Sequence, residues 1–180
     1  MVKIVRVAPT EGDDSDNNIK YIIHKRTKKP TVVHNKVIDS ITIFSTNAAG
    51  VVTGKADSLI NEVKSTRANV VTLQETHSQC KGRVKLPANF VVFEAIRKAK
   101  NGGILCAVDE NLRPKLVEEY NDPFELLVVE VEAKNKNIRI ITGCGPQENW
   151  DEDKRMPFFV TLEAEIVKSE LAGRSIIIEM

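Results

Sequence analysis

Val70-Val71-Thr72-Leu73-Gln74-Glu75-Thr76-His77 is the stretch on which the reading of this chain turns. Asn69 to Leu73 is a short, nearly continuous apolar run, the pattern of a strand buried on both faces. It stops abruptly at an amide and a carboxylate, Gln74 and Glu75. A buried strand that ends this way delivers its polar residues to a rim of the sheet, where functional groups gather. A carboxylate there, with amides nearby, suits a hard divalent cation, which takes oxygen ligands and usually keeps several waters.

Two further strands end in the same manner. Ile41-Thr42-Ile43-Phe44-Ser45 alternates β-branched and polar residues and runs into Thr46-Asn47-Ala48-Ala49-Gly50. Ile138 to Thr142 runs into Gly143-Cys144-Gly145-Pro146-Gln147. Any one of these ends reads as an ordinary turn; their joint occurrence makes a site. Around them the spacing predicts an amphipathic helix over 55–65, with Ala56, Leu59, Ile60 and Val63 on one face, and a second helix of about four turns marked by Phe158, Phe159, Leu162, Ile166 and Val167. Strands are expected at 90–93, 104–108, 126–131 and 175–178, with a tight turn at Asn101-Gly102-Gly103. Two helices among so many strands argue against a doubly wound parallel sheet. They fit an α+β sandwich of two sheets with helices outside.

Residues 1–39 read as a flexible N-terminal extension. Glu11 to Asn18 has no apolar face, and the basic run His24 to Lys29 before Pro30 reads as a solvated tail rather than a nuclear address. The 180 residues suffice for one domain, and the balance of 26 Lys and Arg against 25 Asp and Glu, net charge +1, leaves any phosphate-binding surface to local charge placement. No stretch is long and apolar enough to span a bilayer, no secretory signal opens the chain, and the three scattered cysteines read as reduced thiols. The expected location is therefore intracellular, nuclear or cytoplasmic, with no membrane partner.

Leu73-Gln74-Glu75-Thr76 resembles the metal-binding motif of the endonuclease/exonuclease/phosphatase superfamily, Asn47 resembles the asparagine that opens its site, and Gly143 to Gln147 sits where that family has Tyr-x-Pro-Asn. The order and spacing extend from Ser40 to Met180, so the resemblance implies that 40–180 is the N-terminal part of such a domain. The form Gln74-Glu75-Thr76-His77 with Gly145-Pro146-Gln147 is most similar to endonucleases encoded by non-LTR retroelements. The resemblance implies an α/β/β/α four-layer sandwich of the DNase-I-like type, incomplete at the C-terminus, with Mg²⁺ (or Mn²⁺) held by Glu75 and Asn47. It implies DNA as the substrate, Gln147 and Cys144 facing the phosphate, and a reverse transcriptase region of the same polyprotein as a partner. It also places an Asp-x-Asn motif and a terminal Asp-His pair beyond Met180, which implies a marginally folded and nearly inactive chain.

Cys144 departs from the family's tyrosine; a thiol is a shorter and weaker donor than a phenol. That departure keeps open a non-catalytic binding or assembly module with the same fold, and a small-molecule or lipid phosphatase of the superfamily is a further alternative. Gly50 to Ala56 fails as a P-loop, because its glycines are too close and Ala56 replaces the Mg²⁺-binding hydroxyl. His77 and Cys80 lack the second pair a structural zinc needs. Arg83, Lys85, Arg97, Lys98 and Lys100 could line a DNA groove or form a solvated basic face, and Trp150 in its acidic loop reads as a packing anchor.

Overall fold

The computed structural model of the protein describes residues 2–7, 23–24, 41–48, 56–77, 84–96, 102–121, 123–133, 136–146 and 150–180. Among the described residues ten strands and two α-helices follow one another as β1 (Val2–Val7), β2 (Ile23–His24), β3 (Ile41–Asn47), α1 (Ala56–Thr66), β4 (Val70–Gln74), β5 (Phe90–Ala95), β6 (Ile104–Asp109), β7 (Lys115–Tyr120), β8 (Leu126–Ala133), β9 (Lys136–Gly143), α2 (Glu152–Leu171) and β10 (Ser175–Glu179). They form a six-stranded sheet in the order β2-β1-β3-β4-β6-β5 and a four-stranded sheet in the order β10-β9-β8-β7.

Each sheet contains one parallel pair, β3 with β4 and β9 with β10. Parallel neighbours cannot be joined by a hairpin and need a crossover. The two helices supply those crossovers: α1 links β3 to β4, and α2 links β9 to β10. Each helix covers the outer face of its own sheet. Val63 and Leu59 of α1 pack on Phe44, Val71, Leu73, Leu105 and Ala107, whereas Phe158, Leu162 and Ile166 of α2 pack on Leu126, Val128, Ile141 and Ile176.

Between the sheets lies a third cluster to which both contribute: Ile41, Ile43, Val70, Ile104, Cys106 and Val108 from one, Leu127, Val129, Val131, Ile140 and Ile177 from the other. The layers are therefore helix, sheet, sheet, helix, the expected sandwich. Strands buried on both faces explain why β4, β6 and β8 read as continuous apolar runs rather than alternating ones.

Three features depart from expectation. Val2–Val7 is not part of an unattached extension: it pairs antiparallel with the whole of β3, from Val2 opposite Thr46 to Val7 opposite Ile41, and itself carries β2. Four of its six residues are Val or Ile, types with high strand propensity. The sheet thus begins well before Ser40. Lys115–Tyr120 is a strand that the sequence reading does not contain. Its register slips between Leu116 and Glu118, and that bulge erases the alternation by which a strand is recognised. The second helix runs for 20 residues, longer than the four turns expected. Among the described residues no helix is long and apolar enough to cross a membrane.

Candidate active site

Side chains alternate across a strand, so each strand's inward parity can be followed along its length. On β3, Ile41 and Ile43 face the second sheet, and Ser45 and Asn47 continue that row. On β4 the inward row is Val70, Thr72, Gln74; on β9 it is Ile138, Ile140, Thr142; on β10 it is Ile177, Glu179. In all four strands an apolar stretch of the row gives way to a polar residue at the C-terminal end. The apolar filling between the sheets therefore gives way, at one end of the sandwich, to a layer of amides, hydroxyls and carboxylates.

That end holds the residues singled out from the sequence. β3 and β4 are hydrogen-bonded neighbours with Asn47 opposite Gln74, and the Ala48 amide donates to the Gln74 carbonyl at 2.7 Å. Asn47 and Glu75 thus leave the ends of adjacent parallel strands, one residue apart in register. The Asn47 side chain is exposed, Glu75 is half-buried, and neither is sealed in a dry interior. Cys144 follows β9 and is half-buried against the inter-sheet core. Its amide donates to the Glu125 carbonyl at 3.3 Å. Gln147 lies outside the described residues, as do Cys80, Arg83, Arg97, Lys98, Lys100 and Asn101. Lys85 is exposed and Trp150 is half-buried.

Glu75 has a left-handed backbone, with φ of 51°, and His77 has φ of 50°. Such a conformation costs an L-residue roughly 1–2 kcal/mol, so neighbouring contacts must impose it. They do: the Thr76 amide donates to the Gly103 carbonyl at 3.0 Å and the His77 amide donates to the Gly102 carbonyl at 2.8 Å. Gly102 and Gly103 have φ of 129° and 86°, and a Cβ added to Gly103 would stand 2.6 Å from Thr76 Oγ1. The two glycines expected to form a tight turn thus serve as the backbone anchor of the segment after Glu75.

The polar layer contains groups that reasoning from the sequence passed over: Ser45, Thr142, Glu125 and Glu179, all nearly inaccessible to solvent. A polar residue at the inward parity of an otherwise apolar strand was the available signal. Gln74 Nε2 and Thr142 Oγ1 are buried with no hydrogen-bond partner, an uncommon condition in folded proteins. Among the described residues no three His, Cys, Asp or Glu side chains cluster as a ready metal cage. Mg²⁺ does not need one; it is commonly held by one or two carboxylates and fills its remaining positions with water. One accessible carboxylate, one accessible amide on the adjacent strand and a polar layer behind them fit that requirement.

The helix–sheet–sheet–helix order, the two crossovers and the polar end together match solved structures. The chain has the DNase-I-like fold. Over 71% of its length it matches a humanized TDP2 of D. rerio, with a TM-score of 0.51 and 18% identity. It matches the human Nocturnin catalytic domain over 76% of its length, with a TM-score of 0.56 and 12% identity, and the AP endonuclease LMAP of Leishmania major over 64%, with a TM-score of 0.50 and 14% identity. It covers 56%, 61% and 43% of those chains respectively, so it spans about half the length of the DNase-I-like structures it matches. No protein-family model and no curated protein matches the sequence.

Proposed function

We propose that this chain carries the metal-binding part of a divalent-cation-dependent phosphodiesterase site that acts on DNA. The observation that carries the proposal is the emergence of Asn47 and Glu75 from the ends of adjacent parallel strands, one residue apart in register, at the polar end of the sandwich. Glu75 would hold Mg²⁺ (or Mn²⁺) through its carboxylate, and Asn47 would add an amide oxygen. A cation so held neutralises phosphate charge and makes its bound water a stronger nucleophile. Asn47, exposed at the rim, can donate its amide N–H to a phosphate oxygen while its oxygen faces the cation. Cys144 and Gln147 would face the phosphate from the end of β9.

Two of the structural neighbours act in keeping with this reading: one is an AP endonuclease, and a TDP2 of D. rerio was solved with a single-strand DNA product. The Gln74-Glu75-Thr76-His77 form supports the retroelement subgroup, with a reverse transcriptase region as partner and a site of action inside the cell. Cys144 supports a second reading, a binding or assembly module that keeps the fold without turnover, because a half-buried thiol is a poor substitute for a phosphate-directed hydroxyl.

The test is metal binding and strand cleavage on the same samples. Mn²⁺ titrated into the chain should bind, as read by loss of its free electron paramagnetic resonance signal, and Glu75→Gln should abolish that binding. Any nicking of supercoiled plasmid should require Mg²⁺ and disappear in Glu75→Ala. Nicking that survives either change overturns the metal assignment, whereas Mn²⁺ binding without nicking favours the binding module. DNA affinity should fall steeply between 50 and 200 mM salt, by about 10³-fold or more if six or more phosphates are contacted. A small-molecule phosphatase would bind DNA little at any salt.

A further inference from the structure

Glu125 is the residue immediately before β8, and its side chain is 1% exposed. We infer that it is a positioning residue, which sets from the second sheet the two loops that would hold the cation and face the phosphate. The inference rests on the proposed role of Glu75. Glu125 Oε1 accepts a hydrogen bond from the Gly103 amide at 3.2 Å, a contact from the four-stranded sheet to the mouth of the six-stranded one. The carbonyl of that same Gly103 accepts from the Thr76 amide at 3.0 Å, next to Glu75 in the chain. The backbone carbonyl of Glu125 accepts from the Cys144 amide at 3.3 Å. One residue is thereby tied through its side chain to the Glu75 loop and through its backbone to the Cys144 loop.

The arrangement answers a specific need. Glu75 sits in a left-handed conformation that its own sequence disfavours, held on one side by the β3–β4 ladder and on the other by Thr76. The second hold is only as firm as Gly103, a residue with a wide conformational range of its own. A buried carboxylate on the Gly103 amide fixes the Gly102–Gly103 peptide, whose Gly102 carbonyl receives His77, and holds Gly103, whose own carbonyl receives Thr76. Groups that orient a metal ligand from behind typically change affinity about 10–100-fold when lost.

The experiment compares Glu125→Gln, Glu125→Asp and Glu125→Leu in the full chain, with Glu75→Gln alongside. Glutamine keeps an oxygen at the same reach; aspartate keeps the carboxyl group but withdraws it; leucine removes the acceptor. Exchange of the Thr76, His77 and Gly103 amides with deuterium should accelerate in Glu125→Asp and Glu125→Leu and stay near wild type in Glu125→Gln. Mn²⁺ affinity should fall about 10–100-fold in the first two and be largely kept in the third. Aspartate is the milder change if leucine prevents folding. Unchanged exchange at those amides in Glu125→Asp, or equal loss of Mn²⁺ affinity in Glu125→Gln and Glu125→Asp, overturns the inference. Failure of wild type to bind Mn²⁺, or indifference to Glu75→Gln, sinks the metal reading instead, and amide exchange then still decides whether Glu125 holds the loop.

Discussion

Glu75 combines a half-buried carboxylate with a backbone conformation that glycine would adopt more readily. Strain kept at such a position points to a role that over-determined contacts sustain. Glu75→Gly and Glu75→Ala should both lose Mn²⁺ binding, but only glycine relieves the left-handed penalty of roughly 1 kcal/mol. In a domain of this size Glu75→Gly should therefore melt about 2–4 °C above Glu75→Ala, as read by circular dichroism. Equal midpoints would show that the conformation is not strained. Cys106 is opposite in character. It lies in the inter-sheet core, and burial pushes its thiol up to about 12. It should react with a thiol reagent at pH 8 only after denaturant is added, because the nucleophile is the thiolate. The folded pKa lies above the unfolded one, near 9, so this group's contribution is complete below pH 9 and is lost as pH rises toward 12. Burial and the neighbouring Glu165 also raise Tyr120, so Cys106→Ala should lessen, without abolishing, the alkaline fall in denaturant midpoint.

The least anticipated packing at the scale of elements belongs to α2. Phe158 is fully buried, meets Phe124 edge-on at 5.5 Å between ring centroids, and meets Phe159 at 5.4 Å. Below it Glu165 accepts from Tyr120 Oη at 3.1 Å and from Lys168 Nζ at 2.5 Å, and Arg139 donates to Ser169 Oγ at 3.1 Å. Aromatic contacts thus seat the first half of the helix on β8 and β9, and polar contacts seat the second half. Phe158→Ala should cost about 3–5 kcal/mol, a fall in melting midpoint of roughly 10 °C or more. A fall below about 3 °C would mean that α2 is not seated as described. The expected helix was legible because Phe158, Leu162 and Ile166 repeat at helical spacing. Its true length was not, because the first turn, Glu152 to Arg155, is charged and carries no apolar periodicity.

For the whole molecule, the decisive finding is that β1 closes the side of β3. Without it, Ile41–Asn47 would present an unpaired edge next to the candidate site. Removing residues 1–39 should therefore destabilise the domain by roughly 3–5 kcal/mol, given net backbone hydrogen bonds of about 0.5–1.5 kcal/mol each. It should also promote self-association, measurable by urea titration and sedimentation. An unchanged urea midpoint would restore the boundary at Ser40. The sequence could not reveal this pairing, because the two partners are separated by a polar stretch, Glu11 to Asn18, that looks like a boundary. Antiparallel pairing over such a distance is a tertiary choice, settled by which unpaired edge is available.

By itself the sequence determined the sandwich class, the two helices, most strands and the polar ends of β3, β4 and β9. Each of these is written locally, in the period of apolar residues and in the point where an apolar run meets an amide or a carboxylate. Only the tertiary structure decided that Asn47 and Glu75 end neighbouring strands, that Gly103 anchors Thr76, and that Glu125 reaches across from the other sheet. Those relations join residues up to 28 positions apart, and they depend on strand register and inter-sheet packing, for which no local period in the chain carries a signal.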